Sequence, residues 1–408
     1  MQKKSIDATL VFVVIALVIF GMIMISSVSV YPSFKITSRM VAAWLIGESN
    51  NYFYLSKNIA HVLIGLFSLM IFSKIPYSVF EKHVKPIFYG SVLWLFLVLF
   101  VGIEYNGARG WLNIPGLPSL QPVEFAKIGL ILFLAYFIKK RRSSIADFSE
   151  GFIPFFFIGT SVFILLAFQP DFGSILIIAP VLTALYFVAG WNIRYLMVSF
   201  LACMIGALGI YFLGKAGGSW GSSLGYISAR IDNYFDDSHT LFEKGNDDSK
   251  IYQTKQGLLA IGSGWFFWLG FGKSIQKFGY LPEVQWDFIF SVIVEELWFF
   301  WAILLFSAYF TIVYRWYAIS RWVKDPFAKY TAFGITTLIL VQMFINVWVN
   351  LNVVPLTGVT LPFVSYGGSS LISLMIATGI LLNISRHVEY IPYGNTSSVI
   401  GSNKRIKV

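Results

Sequence analysis

The stretch KFGYLPEVQWDFIFSVIVEEL, residues 277–297, decides the fold and carries the main candidate site. It places Asp287 where a polar segment meets a strongly apolar one, with Glu283 four residues earlier and two more carboxylates near its end. Acidic side chains are costly at a membrane boundary, and those found there mark functional sites by default. The alternative is an interfacial helix start, in which Pro282 and Asp287 are the entry and capping residues. Position alone does not separate these two interpretations.

The composition of the 408-residue chain indicates an integral membrane protein. Hydrophobic residues make up 57% of the chain and charged residues only 12%, which is too little charge to cover a soluble domain. Cys203 is the single cysteine, which excludes an intramolecular disulfide and a cysteine-based metal site. The net charge of +10 comes largely from basic residues in short segments beside apolar runs. This pattern favours anchoring at the cytoplasmic face over nucleic-acid binding.

Ten apolar spans, each about 17–25 residues long, are predicted as transmembrane helices. The first is interpreted as a retained helix rather than a signal peptide, because its apolar run is long enough to cross the membrane. The basic connecting segments all fall on one side, which the positive-inside rule assigns to the cytoplasm together with both termini. The predicted fold class is therefore an all-α polytopic membrane protein. The spans cover residues 9–30, 58–75, 85–103, 123–139, 152–168, 172–190, 193–214, 287–313, 329–352 and 367–385.

These spans define the predicted domain organisation. Residues 1–386 form one ten-helix membrane domain, and residues 387–408 form a short polar cytoplasmic tail that is predicted to be disordered. Residues 31–57 form a modest external loop, and a large extracytoplasmic loop, residues 215–286, joins helices 7 and 8. Within it, residues 256–272 are apolar but interrupted by glycines, so we expect them to lie on or re-enter the membrane surface. Long ordered loops usually carry function, which places the chemistry or recognition outside.

Arg109, Glu124 and Lys127 belong to the paired motifs GARGW, residues 107–111, and QPVEFAK, residues 121–127. Arginine and lysine are the usual ligands of phosphate, so these residues form a candidate cationic site for an anionic head group. The alternative is structural, because Glu124 and Lys127 are three residues apart on one helical face and can neutralise each other.

Two further external motifs are rich in turn-forming residues. QPDFG, residues 169–173, predicts a tight corner in which Asp171 caps a helix. LTGVTLPFVSYGGSS, residues 356–370, predicts an external loop before the last span, whose backbone N–H groups could form an anion-binding nest. Loop architecture explains that composition equally well. The predicted substrate-binding residues in this loop and in the Asp287 stretch are Ser365, Gly367, Gly368, Lys277 and Glu283.

The external motifs together point to one substrate class. A lipid-linked pyrophosphate would suit such a site. Its cations would bind phosphate, its carboxylate would accept a proton, and one side of it would be accessible to lipid. A hydroxyl nucleophile needs a general base, and such catalysis is typically worth about 10²–10⁴-fold. Asp287, at the edge of the membrane, is the candidate base.

The order and spacing of GARGW, QPVEFAK, QPDFG, the 277–297 stretch and NVVPLTGVTLPFVSYGGSS resemble the SEDS family (shape, elongation, division and sporulation), represented by FtsW and RodA. The resemblance covers nearly the whole chain. It implies a ten-helix peptidoglycan glycosyltransferase that polymerises lipid II outside the cytoplasmic membrane, with a class B penicillin-binding protein as transpeptidase partner. It also implies that Asp287, in QWDF where the family usually has His-Thr-Asp-Phe, is the catalytic carboxylate. Arg109 and Lys127 match basic motif residues, although Gly110 stands where arginine is common.

The resemblance implies a mechanism. Asp287 deprotonates the 4-hydroxyl of the acceptor GlcNAc, and that oxygen attacks the anomeric carbon of the donor with inversion while polyprenyl pyrophosphate leaves. Arg109, Lys127 and a divalent cation, Mg²⁺ or Mn²⁺, are candidates for stabilising the pyrophosphate. Glu283 is either a ligand for water or metal or a structural residue.

Two rival functions stay open. A lipid II flippase would also use intramembrane charges, but it should carry polar groups into the cytoplasmic half, where the sequence has few. A non-catalytic scaffold of the cell-wall synthesis complex would use the large loop as its docking surface. The sequence does not decide between a role in division and one in elongation. In each case the surrounding membrane lipids are partners, and nucleic acid is not.

Several of the thirteen tryptophans stand where the family pattern has glycine. Glycine often supplies a positive φ or a close helix approach, so its replacement by tryptophan is poorly tolerated. One hypothesis is that UGA codons, which the source organism reads as glycine, were translated as tryptophan. The alternative is a genuinely tryptophan-rich variant with a repacked site. The clearest positions are Trp265, Trp268, Trp298, Trp301 and Trp348, and Trp286 and Trp316 are further candidates.

Overall fold

The computed structural model describes residues 6–105, 108–113, 119–190, 193–216, 228, 232, 249–266 and 269–387. The described part is mostly helical, as expected for apolar segments whose backbone groups must be satisfied without water. The first half contains α1 (Ala8–Val28), α2 (Val30–Ala42), α3 (Phe53–Lys74), α4 (Tyr77–Lys82), α5 (Val84–Val101), α6 (Pro122–Lys140) and, after a π-helical turn (Phe148–Phe152), α7 (Ile153–Phe168).

The second half continues the helical pattern. It contains α8 (Phe172–Val188), α9 (Ile193–Ala216), α10 (Ser249–Phe266), α11 (Ile289–Leu297), α12 (Phe299–Trp322), α13 (Pro326–Asn350) and α14 (Gly368–Ser385). Much of the predicted 215–286 loop before Ser249 lies outside the described residues, as do Trp268 and residues 388–408 of the predicted tail.

Seven helical segments within the described residues are long and apolar enough to cross a membrane. They are α1, α3, α5, the π-helical turn with α7, α12, α13 and α14, while α8 and residues 204–215 of α9 are apolar but shorter. The ten predicted spans all fall on helices. Their number, the cytoplasmic termini and the position of the large loop stay predictions.

The eighth predicted span, residues 287–313, is wrong as a single helix. It is divided into α11 and α12 at Trp298, whose backbone has φ 75° and ψ 162°. These angles lie outside the helical region, so no helix can continue through this residue. Hydropathy did not reveal the break because both sides of it are apolar.

Two predicted loops contain helices. The 31–57 loop begins with α2, and the glycine-interrupted 256–272 segment is helical as far as Phe266. Glycine lowers helix propensity without forbidding a helix, so packing overrides it in α10.

A small β-hairpin departs from the all-α prediction. β1 (Ile103–Tyr105) pairs with β2 (Ala108–Trp111) in antiparallel orientation. The Arg109 N–H also donates to the Gln169 carbonyl at 3.2 Å. The hairpin is therefore seated on the corner between α7 and α8.

The two last helices form the centre of the molecule. Within an apolar stretch of 18 residues in each helix, 67% of α13 and 83% of α14 is buried, whereas the buried share is 28% in α3 and in α5. α14 packs on α3, and α13 packs on α6, α8 and α12. The connection between the two central helices, residues 351–367, is consequently in a position to contact several external motifs at once.

Candidate functional site

Asp287 lies at the end of the segment that connects α10 to α11. The N–H groups of Trp286 and Asp287 both donate to the Glu283 carbonyl, at 3.1 and 3.2 Å, which closes a turn. Glu283 occupies the left-handed region at φ 54°, a conformation that is costly for a residue with a side chain. The N-cap of α11 is Phe288, so the interpretation of Asp287 as the capping residue is wrong.

The half-buried Asp287 carboxylate faces the connection between α13 and α14. Gly358 in that connection has φ 75°, and a Cβ placed there would lie 3.6 Å from Asp287 Oδ2. The glycine therefore allows the backbone to turn and to approach the carboxylate closely. The 356–370 motif and the Asp287 stretch, far apart in sequence, lie side by side in the fold.

The QPDFG corner meets the same connection. A Cβ at Gly173 would lie 2.7 Å from the Thr357 carbonyl oxygen, so only glycine fits there. Asp171 Oδ1 accepts from the Ser174 N–H at 3.0 Å and its Oδ2 accepts from the Ser174 hydroxyl at 2.7 Å. The predicted helix cap is confirmed.

The remaining loop residues are held by local contacts. The buried Ser365 hydroxyl accepts from the Leu361 N–H at 2.9 Å, and the Tyr366 N–H donates to the Gln285 carbonyl at 2.9 Å. Gly368 lies against His61, where a Cβ would come within 2.8 Å of the ring. Gly367 is the N-cap of α14. These contacts favour loop architecture as the reason for Ser365, Gly367 and Gly368, and their role as an anion nest stays a prediction.

Glu124 and Lys127 form the ion pair that their spacing predicts. Lys127 Nζ lies 2.8 Å from Glu124 Oε1, and both side chains are buried. The Ser373 hydroxyl of α14 donates to Glu124 Oε2 at 3.4 Å. Arg109, by contrast, has an exposed side chain on β2. Of the two predicted phosphate ligands, Arg109 is thus the accessible one, and Lys127 is engaged with its carboxylate.

Lys277 and Glu283 occupy different environments. The Lys277 ammonium is buried and lies 2.8 Å from Glu296 Oε1. The Glu283 side chain is half-buried, and this burial raises the pKa of its carboxyl. Glu283 lies one turn from Asp287, whereas Lys277 is held in an internal ion pair. Substrate binding by either residue stays a prediction.

Sequence comparison assigns a family to this arrangement. The family model described as "Cell cycle protein", FtsW/RodA/SpoVE, matches residues 7–390. The chain belongs to the FtsW/RodA/SpoVE family. It is therefore a multi-pass integral protein of the cytoplasmic membrane, and the SEDS resemblance is confirmed.

Individual relatives agree with this assignment along the whole chain. Stage V sporulation protein E of Bacillus subtilis is 32% identical over 392 residues, which are 95% of this chain and 99% of the relative. The probable peptidoglycan glycosyltransferase FtsW of the same organism is 34% identical over 394 residues, covering 95% and 92% of the two chains.

Solved structures share the fold. A chain from a study of the structural coordination of polymerization and crosslinking by a peptidoglycan synthase complex matches with TM-score 0.71 and 25% identity, covering 93% of this chain and 98% of that one. The rod shape determining protein RodA of Thermus thermophilus matches with TM-score 0.64 and 26% identity, covering 93% and 97%.

The predicted divalent cation has no ready protein site in the described part of this FtsW/RodA/SpoVE-family chain. Within those residues, no three histidine, cysteine, aspartate or glutamate side chains come together in a group suited to a metal ion. A cation bound mainly by protein ligands needs several such donors. The described residues do not fit a metal held by protein ligands alone. Mg²⁺ is commonly held by one or two carboxylates together with substrate phosphates, and in that form the predicted cation stays a prediction.

Trp298 is the tryptophan whose conformation points to glycine. Its φ of 75° and ψ of 162° fall in a region that is essentially restricted to glycine. Trp316 is instead buried in the core, although its Nε1 has no hydrogen-bond partner. Trp301 stacks on Phe20, with ring centroids 5.9 Å apart.

The other tryptophans in question either pack as ordinary aromatic side chains or lie outside the described residues. Trp286 makes an edge contact with Tyr54 at 5.5 Å, and Trp348 contacts Phe344 at 5.6 Å. Trp265 lies in α10, but its side chain is outside the described part, as is the whole of Trp268. The codon hypothesis stays a prediction, which the backbone at position 298 supports.

Proposed function

We propose that this chain is a peptidoglycan glycosyltransferase that polymerises lipid II into glycan strands at the outer face of the cytoplasmic membrane, for cell division or elongation. Family membership and the names of its relatives support the reaction class. The observation that carries the proposal is the position of Asp287, whose half-buried carboxylate lies beside Gly358 in the connection between α13 and α14. The proposed topology has ten transmembrane helices, cytoplasmic termini and residues 215–286 as the large external loop.

In the proposed reaction Asp287 is the general base. Its carboxylate accepts the proton of the acceptor 4-hydroxyl as that oxygen forms a bond to the anomeric carbon of the donor. The bond between this carbon and the pyrophosphate oxygen breaks, and the polyprenyl pyrophosphate leaves with inversion at the carbon. A positioned base contributes about 10²–10⁴-fold. The acquired proton passes to water before the next cycle.

Arg109 is the proposed first contact for the pyrophosphate. Its exposed side chain on the hairpin can present a fixed fork of donors to phosphate oxygens. Lys127 is buried against Glu124, so it acts on substrate only if phosphate oxygens replace that carboxylate. The proposed role of Lys127 is therefore secondary: its charge contacts the pyrophosphate only during the reaction.

The proposed partner is a class B penicillin-binding protein that crosslinks the new strand. One similar chain comes from a study of how a peptidoglycan synthase complex coordinates polymerization and crosslinking, which supports the pairing. Membrane lipids surround the remaining apolar helix faces.

The decisive experiment is lipid II polymerisation by the chain purified with its transpeptidase partner. We expect glycan strands from the parent and none from Asp287→Ala or Asp287→Asn. Asp325→Asn is the control, since Asp325 stands just before α13, at the end of that helix far from the 351–367 connection, and pairs with Lys139 at 2.8 Å.

Three outcomes are informative. Strands from the Asp287 variants would contradict the assigned base. Lipid II transfer across vesicles without strand synthesis by the parent would favour a flippase, and partner binding without either activity would favour a scaffold.

A further inference from the structure

Two asparagines of α13 converge on the main chain of Asp287. Asn346 Nδ2 donates to the Asp287 carbonyl at 2.9 Å, and Asn350 Nδ2 donates to the same oxygen at 2.8 Å. Both side chains are fully buried, with 0% exposure. Residues four apart lie on one face of a helix, one turn from each other, so α13 presents two amides to a single acceptor.

Asn350 also completes the start of α11. Its Oδ1 accepts from the Ser291 N–H at 3.1 Å and from the Ser291 hydroxyl at 2.7 Å. Ser291 is the third residue of α11, and the N-cap residue Phe288 makes no side-chain cap bond. The first amides of a helix need an external acceptor. One asparagine of α13 therefore caps α11 and holds the residue just before its N-cap.

Asn346 joins the main chain of Asp287 to the Gly358 loop, which the Asp287 carboxylate faces. Its Nδ2 also donates to the Val359 carbonyl at 2.7 Å, next to Gly358. Its Oδ1 is buried and has no hydrogen-bond partner among the described residues. A buried acceptor without a partner destabilises the fold. The stabilising contribution of the Asn346 amide therefore comes from the two hydrogen bonds that it donates. Because both neighbours are carbonyl oxygens, the NH₂ group must be the one that faces them.

We infer that Asn346 and Asn350 are positioning residues, which fix the Asp287 carboxylate relative to the Gly358 loop by clamping the Asp287 carbonyl. This inference rests on the proposed role of Asp287 as the base. The amides do not touch the reacting atoms. They fix the main chain from a rigid, central helix, and a misplacement of about 1 Å can cost about 10²-fold in rate.

Asn383 provides a matched control within α14. It is a buried asparagine whose Oδ1 accepts from the Tyr77 N–H at 2.9 Å and whose Nδ2 donates to the Ser73 carbonyl at 3.1 Å. Its two kinds of bond are the same as those of Asn350. It lies near the end of α14 that is far from Gly368, and its side-chain partners, Tyr77 and Ser73, lie outside the candidate site.

The test compares Asn346→Leu with Asn383→Leu, and Asn350→Asp with Asn383→Asp, in the full chain bound to its partner. Aspartate at 350 retains an acceptor for Ser291, so the cap of α11 survives, and in its ionised form it has no donor for the Asp287 carbonyl. Because burial favours the neutral carboxyl, which keeps one O–H donor, kcat is followed as the pH rises. We expect kcat for lipid II polymerisation to fall about 10²-fold in the α13 variants with little change in KM. The Asn383 variants lose thermal stability but keep a kcat near the parent value.

Each outcome decides a separate point. Folded Asn346→Leu and Asn350→Asp proteins with parental kcat, alongside an inactive Asp287→Ala, would overturn the clamp and leave the proposed function intact. An active Asp287→Ala would overturn the assigned base and the clamp together, and would leave the polymerase activity standing. Equal kcat losses in the α13 and Asn383 variants would show a general structural effect and overturn the inference. If Asn346→Leu fails to fold, the Asn350→Asp comparison decides alone.

Discussion

Lys277 Nζ lies 2.8 Å from Glu296 Oε1, in a buried ion pair that joins the segment leading to Asp287 to α11. The same ammonium donates to the Ser27 hydroxyl of α1 at 2.8 Å, and that hydroxyl donates to the Glu296 carboxylate at 2.9 Å. The pair thus ties α1, α11 and the site segment together. Its location argues for an anchoring role, in place of the substrate contact that the sequence predicts for Lys277.

Removing one partner of this ion pair should lower the free energy of unfolding more than removing both. Lys277→Met leaves a buried carboxylate without its cation, which costs about 3–5 kcal/mol of unfolding free energy. The double variant Lys277→Met/Glu296→Leu should recover much of that loss, because an apolar pair replaces an ionic one. Thermal unfolding of the detergent-solubilised variants measures both. A Lys277→Met protein of parental stability that no longer binds lipid II would instead support substrate contact.

Glu283 should make stability depend on pH. Burial raises the pKa of its carboxyl, so the fold favours the neutral form. This contribution is fully present below the ordinary pKa of a glutamate carboxyl, 4.5, and is lost as the pH rises through the folded-state value. Glu283→Gln removes the titration and should be more stable than the parent at neutral pH. Melting temperatures measured from acid to neutral pH test this, and parallel curves for the two proteins would contradict it.

The sequence predicts the helices and the local pairs well, for physical reasons. Apolar length locates each membrane helix, and residue spacing within one helix fixes the Glu124–Lys127 pair and the Asp171 cap. These features depend on neighbours in sequence. The hairpin at Arg109 was missed because three or four residues give too weak an alternating pattern.

Features that depend on distant segments could not be predicted. Asn346 and Asn350 look like tolerated polar residues in an apolar helix, and only the fold brings the Asp287 carbonyl to them. The close approach of Gly358 to Asp287 likewise joins segments about 70 residues apart. Two polar residues four positions apart in a buried helix are the sequence signal that could have indicated the clamp.

Gly358→Ala should impair catalysis beyond its effect on stability. The positive φ makes alanine costly by about 1–3 kcal/mol, and the new methyl group would lie 3.6 Å from Asp287 Oδ2. Gly190→Ala is the control, because Gly190 has φ 107° and open space around its Cβ position. Both variants should lose stability in thermal unfolding, but only Gly358→Ala should also lose polymerisation by the folded fraction. Equal activity in the two would show that the approach of Gly358 is unimportant.

Trp298→Gly should stabilise the protein. Relief of a backbone conformation restricted to glycine is worth about 1–3 kcal/mol, and the side chain being removed is 49% exposed. Trp348→Gly is the matched comparison, since Trp348 is 43% exposed but lies within the helical α13. Glycine there should destabilise the helix, by about 1 kcal/mol relative to alanine.

Thermal unfolding separates the two explanations of the tryptophans. Stabilisation at 298 together with destabilisation at 348 means that strain is confined to the α11–α12 break, as in a repacked tryptophan-rich chain with one costly position. Stabilisation at both positions would mean that glycine is the better residue even where the backbone is helical, which would favour the codon hypothesis. The gene gives the independent answer, because a UGG codon at 298 would exclude recoding there whatever the melting temperatures are.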